Sequence, residues 1–450
     1  MSDLLSIGAS GVRAYQTALS TVGENIANTG VAGYTRRTTQ LSEVGSTGSS
    51  IAARTQYGGN GVTVTGIGRQ ADAFRSEAVR QSSGDLGRTE TSATWLSRIE
   101  LSMTGSKLGD RLTDFFTSAR SLAADPTSVP TRAVLLEKAS AAAAAFGQAG
   151  EALSRATTEL DATAAQGVST LNSLGTALAK VNDGLARTQA GSSQAAQLAD
   201  QRDQLLEQMS ALSDVNVSTD EIGRAQVRLG GATGPVFVAG NEVGRLSVSR
   251  NDEGAMQFAV QRAGQTNALT PNAGVLAGVT EGAQRLAAAT EKLNALAADF
   301  AGKVNAVQAN GADLDGKDGQ PLFAVGDPPT QITVAMTDPR GLAAAAKGSA
   351  ANSRDASNLD ALEATQSKGG FEAGVTALVT DNAAALEQKK LVADAQSTIR
   401  DNAVAARDSA SGVDLDNEAV ELLRFQQAYQ ASSRVIQTAR DVLQTILEIR

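Results

Sequence analysis

The C-terminal segment constrains this chain more than any other stretch, because residues 413–450 contain no Gly or Pro and repeat their apolar positions every seven residues. Such a repeat places apolar side chains along one stripe of a helix, and a second helix is needed to cover that stripe. The stripe combines two heptad positions, which are Leu415, Leu422, Tyr429, Ile436 and Leu443, and then Phe425, Ser432, Ala439 and Ile446.

The first segment of the chain carries a matching repeat and predicts a helix from Ser2 to about Asn28. The two ends should therefore pair with each other. At about 1.5 Å per residue the C-terminal helix would be roughly 55 Å long and the N-terminal helix roughly 39 Å. The surplus stripe predicts contacts with further copies of the chain, through a subunit interface made of Leu5, Val12, Tyr15, Leu19, Val22, Ile26, Leu415, Leu422, Phe425, Tyr429, Ile436, Leu443 and Ile446.

The composition favours closely packed helices in a chain long enough for about three domains. Aromatic residues make up only 3% of the 450 residues and Pro occurs eight times, whereas Ala runs recur. The net charge of -9, from 39 basic and 48 acidic residues, gives no reason to expect nucleic acid or an anionic membrane as partner. No apolar run approaches the roughly 20 residues of a membrane span.

Cys and His are both absent, which removes most catalytic and metal chemistry. The chain cannot assemble a thiolate nucleophile, an imidazole base, or the usual zinc and haem ligands. We therefore expect no cofactor.

The pattern between the ends predicts a mainly α fold with a β-rich insert and nested, discontinuous domains. Residues 72–213 are helical, with breaks near Gly105, at Asp125-Pro126 and near Gly191, while alternating residues from 214 predict a small antiparallel β domain. Helices return afterwards and include one from Phe371 to Ser411. The predicted division is a terminal coiled coil (1–40 and 412–450), a rod of long helices (41–213 and 276–411) and the insert (214–275).

Two short motifs allow a ligand interpretation, and the residues favour a plain structural one in both cases. Gly66-Ile67-Gly68-Arg69-Gln70-Ala71 imitates a dinucleotide-binding turn, but helices follow it instead of a βαβ unit. Asp313, Asp315 and Asp318 invite a calcium interpretation, but Ala324 stands where a calcium loop places its closing Glu. A surface turn is the preferred prediction there.

Motifs near both ends resemble those of the bacterial flagellar axial proteins. Near the N-terminus Asn25-Ile26-Ala27-Asn28 is followed by Gly33-Tyr34-Thr35-Arg36, with a departure from the family pattern at residues 29–32. Near the C-terminus the matching stretches are Ser411–Asp416 and Leu423–Ser432. Within the family, Gly-Tyr-Thr-Arg is similar to the proteins that join hook and filament.

The resemblance implies a structural subunit rather than an enzyme. Such proteins leave the cell through the flagellar type III apparatus without a cleaved signal and assemble outside it as a ring between hook and filament. The implied partners are further copies of the chain, the hook protein, the second junction protein on the filament side, and an export chaperone on the C-terminal helix.

Three alternatives stay open. In a monomeric rod the two terminal helices would pair only within one chain. A hook subunit of the same family is opposed by Tyr34-Thr35-Arg36 and by the helical block 72–213. A glycan hydrolase would need two facing carboxyl groups with separated pKa values, and the sequence places no such pair.

Overall fold

The computed structural model describes residues 2–44, 61–251 and 254–448, and only the backbone of residues 2 and 3. The last two residues of the predicted C-terminal helix lie outside this range. The described part is mainly helical, with α1 (Ser2–Ala27), α2 (Ala73–Gly105), α3 (Leu108–Ala124), α4 (Val129–Arg187), α5 (Ser193–Leu212), α6 (Gly274–Ala309), α7 (Ser357–Gly369), α8 (Phe371–Ser411) and α9 (Leu415–Glu448).

The strands form small sheets in which every described pair is antiparallel. A hairpin of β1 (Arg37–Glu43) and β2 (Val62–Arg69) follows α1. Between α5 and α6 lie β3 (Val215–Thr219), β4 (Ala225–Leu229), β5 (Val236–Ala239), β6 (Glu242–Val243), β7 (Arg245–Arg250), β8 (Met256–Arg262) and β9 (Gln265–Leu269). After α6 come β10 (Gly311–Ala312), β11 (Phe323–Val325), β12 (Ile332–Val334) and β13 (Ala345–Ala346).

The predicted helix breaks are confirmed. Helices α2, α3, α4 and α5 are separated close to Gly105, Asp125-Pro126 and Gly191, and α8 runs from Phe371 to Ser411 as predicted. The helix α4 has 59 residues, which corresponds to a length of roughly 88 Å. The mainly helical fold with small antiparallel sheets is therefore observed, while the division into nested domains stays a prediction. The boundary predicted at residue 40 lies inside β1.

Six phenylalanines hold the rod together at one place. The ring of Phe300 on α6 lies 5.6 Å from that of Phe115 on α3 and 5.4 Å from that of Phe371 on α8, both edge to face. All six side chains are almost fully buried, and they are Phe115, Phe116, Phe146, Phe300, Phe323 and Phe371. Aromatic residues are scarce in this chain, so their concentration here identifies the main core.

The half-buried Asn172 and the buried Asn182, both on α4, bind the β insert to the rod. The Asn172 side chain donates to the carbonyl oxygen of Leu246 and accepts from its N–H, at 2.9 and 2.8 Å. The Asn182 side chain likewise donates to the carbonyl oxygen of Ala225 and accepts from its N–H, both at 2.8 Å. An amide group can donate and accept at once, so each asparagine satisfies a strand's backbone as a neighbouring strand would.

Both ligand interpretations of short motifs give way to structural roles. Gly66 and Gly68 lie within β2, so this stretch is not a phosphate-binding turn into a helix. The Asp313 carboxylate accepts the N–H groups of Asp315 and Lys317 in its own loop. Asp315 is paired with Arg340, which agrees with the predicted surface turn.

Glu281 on α6 ties three helices together. Its carboxylate accepts from Arg88 and Ser92 on α2 and from Lys389 on α8, at 2.6, 2.5 and 2.9 Å. Burial of Glu281 raises its pKa, but the hydrogen bonds from Ser92, Lys389 and Arg88 outweigh burial and lower the pKa to about 2. The charged form is therefore favoured in the folded state.

This shift predicts an acid-sensitive contribution of Glu281 to stability. Because the folded pKa lies below the ordinary value of 4.5, the contribution is present above pH 4.5 and is lost as the pH falls toward 2. We expect Glu281→Gln to destabilise the protein at neutral pH and to flatten the loss of stability between these values. Urea unfolding at a series of pH values measures it, with Glu291→Gln on the exposed face of α6 as the control. Parallel pH profiles for Glu281→Gln and wild type would contradict the assignment.

Candidate subunit interface

The two terminal helices pack against each other in antiparallel directions. Small residues on α1 allow close approach, since a side chain on Gly8 would meet Ile436 and one on Gly11 would meet Ser432. Further along, the Tyr15 ring lies 6.3 Å from that of Phe425. The pairing predicted from the two repeats is therefore present within one chain.

The face that α1 turns to α9 shares only Gly8 and Val22 with the stripe predicted from the repeat. Its buried residues are mostly small, namely Gly8, Gly11, Ala14, Ala18, Thr21, Val22 and Asn25. The larger residues of the predicted stripe flank this face: Leu5, Val12, Tyr15 and Leu19 are half-buried and Ile26 is exposed. The physical reason is distance, because backbones that approach closely leave room only for small side chains between them.

The predicted residues on α9 divide into a covered group and an uncovered one. Leu422, Phe425, Tyr429 and Ile436 are half-buried against α1, whereas Leu415, Leu443 and Ile446 are exposed. Leu4 lies beside Val442 at the N-terminal end of α1, and α9 continues to Glu448. Residues 443–448 therefore extend about 9 Å past Val442, where α1 has only two further residues.

A buried polar network closes the other end of the pair. The Asn25 side chain donates to the Arg37 carbonyl oxygen and to the Glu418 carboxylate, at 2.8 and 3.0 Å. Its oxygen accepts the N–H of Arg37 at 3.0 Å and the hydroxyl of Tyr34 at 2.9 Å. All four hydrogen-bonding positions of this buried amide are therefore filled.

Glu418 is the acid at the centre of this network, and none of its side chain is exposed. Its second oxygen accepts from Nε of Arg36, whose own N–H donates to the Ser411 carbonyl oxygen at 2.8 Å. Sequence analysis missed Glu418, although a charged residue among the apolar positions of α9 was a signal. The family motif around Asn25 and Arg36 thus forms the structure that receives the C-terminal helix.

The hairpin connects the network to the rod. Arg37 on β1 donates to Glu24 of α1 at 3.0 Å and to Asp200 of α5 at 3.2 Å. Its guanidinium lies 4.9 Å from the ring centre of Tyr34. Burial raises the pKa of Tyr34 to about 12, against the lowering effect of Arg37, and the carboxylates of Glu24, Asp200 and Glu418 raise it further. The phenol therefore stays a neutral donor to Asn25 at physiological pH.

Searches for a metal-binding cluster and for a membrane-spanning helix found neither in the described parts of the chain. Residues 2–44, 61–251 and 254–448 contain no group of three or more acidic side chains that could share a metal ion. Within the same ranges no helix is both long and apolar enough to cross a membrane.

Comparison with known families agrees with this architecture. Residues 96–323 match the family described as flagellar hook-associated protein FlgK helical domain. Residues 406–449 match the C-terminal region of flagellar basal body rod proteins FlgEFG, which covers α9 and the end of α8. The two matches define the chain as a structural protein of the bacterial flagellum.

Individual relatives narrow the class further. The chain is 31% identical to flagellar hook-associated protein 1 of Salmonella typhimurium over 251 residues, or 55% of this chain and 44% of the relative. The same identity relates it to hook-associated protein 1 of Escherichia coli over 255 residues (55% and 45%) and of Bacillus subtilis over 216 residues (47% and 43%). Each match spans less than half of the relative's own length.

A solved structure shows the same fold. It is the flagellar hook junction protein FlgK from Burkholderia pseudomallei, with a TM-score of 0.50 and 24% identity over 55% of this chain and 46% of that one. Since the helical-domain match alone covers half of the chain, the chain belongs to the flagellar hook-associated protein FlgK family. Members of this family assemble with other components of the flagellum.

The buried network predicts a large effect of Glu418→Ala on the terminal pair. Removing this carboxylate leaves Arg36 and Asn25 without their partner, and breaking a buried pair in this way costs about 3–5 kcal/mol. We expect faster amide exchange throughout α1 and α9 and unchanged exchange in α4 and α6, as measured by hydrogen exchange with mass spectrometry.

Glu421→Ala provides the control one turn further along α9. Glu421 pairs with the exposed Arg424 of the same helix at 3.1 Å, so its loss should cost less than about 1 kcal/mol. Equal exchange rates in the two variants would show that the Glu418 network does not hold α9 in place.

Proposed function

We propose that this chain is the junction subunit between hook and filament, and that it assembles as a coaxial ring through its terminal helices. Membership of the FlgK family supports the flagellar role. The single observation that supports assembly through the ends is the apolar tip of α9. Leu443, Ile446 and Leu447 are between 42% and 67% exposed, and they lie past Val442, the residue of α9 that lies beside Leu4 of α1.

The repeat on α9 continues into this tip without interruption. Leu443 and Ile446 occupy the same heptad positions as Ile436 and Ala439, which lie against α1. Apolar residues in such a register stay exposed to water in the single subunit. Burying them against a second helix would lower the free energy. A neighbouring copy of the chain is the partner that the repeat itself suggests, and the thirteen interface residues predicted from sequence belong to this proposal.

The proposal includes partners and a location outside the cell. The subunit would contact the hook protein on one side and the second junction protein on the filament side, after export as an unfolded chain. An export chaperone would cover the C-terminal helix before export, because an exposed apolar tip favours aggregation in the cell. No cofactor or enzymatic step belongs to this function.

Substitutions in the tip separate assembly from folding. We expect Leu443→Asp combined with Ile446→Asp to leave the melting temperature almost unchanged, because both side chains are exposed in the subunit. In cells deleted for the chromosomal copy, this variant should be exported to the medium and yet fail to restore filaments. Electron microscopy of the cells and immunoblots of the medium measure the two outcomes.

Leu391→Asp is the matched control, because Leu391 on α8 is 71% exposed and lies away from the tip. It should restore filaments like wild type. Filaments restored by the tip variant would contradict the proposed interface and favour a rod whose ends pair only within one chain. In the deleted strain itself, hooks without filaments are expected, and loss of the hooks would favour the hook-subunit alternative.

A further inference from the structure

The β1–β2 hairpin presents two arginines at the same position of its ladder. Arg37 is the first residue of β1 and Arg69 the last of β2, and the two are directly opposite each other in the antiparallel register. Like charges at opposite positions of a two-stranded sheet are destabilising. A hairpin with this sequence therefore needs a negative charge from elsewhere to keep its open end closed.

Asp200 on α5 supplies that charge to both arginines. One carboxylate oxygen accepts from Nε of Arg69 at 2.8 Å, and the other accepts from Nη2 of Arg37 at 3.2 Å. Arg69 also donates to Asp203, one turn along α5, at 2.7 Å. Arg37 and Asp200 are 7% and 6% exposed, so solvent and salt screen these pairs far less than pairs on an open surface.

Two further contacts fix the hairpin at the start of α5. The N–H of Ile67 donates to the Gly191 carbonyl oxygen at 2.6 Å. A side chain on Gly191 would lie 3.1 Å from the Cα atom of Gly66, so the two backbones touch where both residues lack a side chain. The hydroxyl of Ser193 donates to Glu24 of α1 at 2.9 Å, which joins the terminal helix directly to the same site.

These bonds continue without interruption into the terminal pair. Arg37 is held by Asn25 of α1, and Asn25 is bonded to Glu418 of α9. The path from α9 through Asn25, Arg37 and Asp200 to α5 thus consists of hydrogen bonds and ion pairs between largely buried groups. Because Arg37 is bonded both to the terminal helix pair and to α5 of the rod, the pair can rotate little relative to the rod.

We propose that Asp200 and the arginine pair Arg37/Arg69 form a rigid bracket that sets the orientation of the terminal helix pair relative to the rod. Asp200 is a positioning residue in this sense. It touches neither the apolar contact between α1 and α9 nor the tip of α9, and it acts by holding the hairpin. The inference concerns the free subunit and does not depend on the proposed junction function.

Distance measurements between spin labels test the bracket. The natural chain contains no cysteine, so labels attach only at cysteines that are introduced. One pair, called the joint pair, reports on the orientation of the terminal helices relative to the rod, with Gln426→Cys on α9 and Lys180→Cys on α4. Two pairs serve as internal controls: Gln16→Cys with Gln426→Cys within the terminal pair, and Lys180→Cys with Glu291→Cys within the rod. All four positions are exposed.

In the wild-type background we expect a single narrow distance peak for all three pairs. Asp200→Asn keeps the size of the side chain and removes its charge, so the joint pair should lose its narrow peak while both internal pairs keep theirs. Arg37→Gln removes the guanidinium that binds Asp200 from the hairpin side, so it should give the same result. Glu363→Gln, which breaks the exposed pair with Arg120 elsewhere in the rod, should change nothing.

Three results would overturn the proposal. A broad joint distribution in the wild-type background would mean that the bracket is not rigid. A narrow joint peak retained in Asp200→Asn would mean that other contacts set the orientation. Broadening of the pair within the terminal helices would mean that Asp200 supports the fold of that pair and not its placement.

Discussion

The fully buried charge of Glu418 is the constraint on which the arrangement of both chain ends depends. A carboxylate withdrawn from water costs several kcal/mol unless partners replace its hydration, and here Arg36 and Asn25 replace it from two different segments. These partners meet the carboxylate only when α9 lies in one register on α1. Apolar contact between the two helices is less selective, because the hydrophobic effect is non-directional. Apolar contact therefore stabilises the pairing of α1 with α9, and the buried network selects its register.

The rest of the molecule transmits this placement through stiff parts. Helix α4 runs along the rod, and Asn172 and Asn182 on it hold the β insert by backbone bonds. A cluster of six phenylalanines joins α3, α4, α6 and α8. It includes Phe146 in the N-terminal part of α4, whereas the β insert is bound to the C-terminal part of that helix. The hairpin lies between rod and termini, with its arginines held by Asp200. An assembly built from such a subunit would inherit its geometry from a small number of polar contacts.

The regular part of the fold was predictable from the sequence because its signals are local. Asp125-Pro126 disfavours helical backbone, and the breaks near Gly105 and Gly191 follow from the same kind of short-range preference. Helix α8 was placed correctly for this reason. The alternating pattern from Val215 likewise indicated strands before their pairing was known. Strand β1 had a weaker signal, since Arg37–Glu43 contains one apolar residue and is stabilised by its partner β2.

The candidate interface was predictable only in part. A seven-residue repeat shows that a stripe exists, but not how closely two backbones approach, so it did not show that α1 would bury mainly small residues against α9 while Leu5, Val12 and Leu19 stay half-buried. The sequence by itself determined which segments are helical, that the two ends pair, and that α9 is longer than α1. All three properties depend on local pattern and on segment length. Only the tertiary structure decided that Asn25 receives Glu418 and that Asp200 separates Arg37 from Arg69. These contacts join residues more than a hundred positions apart, and no local preference encodes which distant charge will balance a buried one.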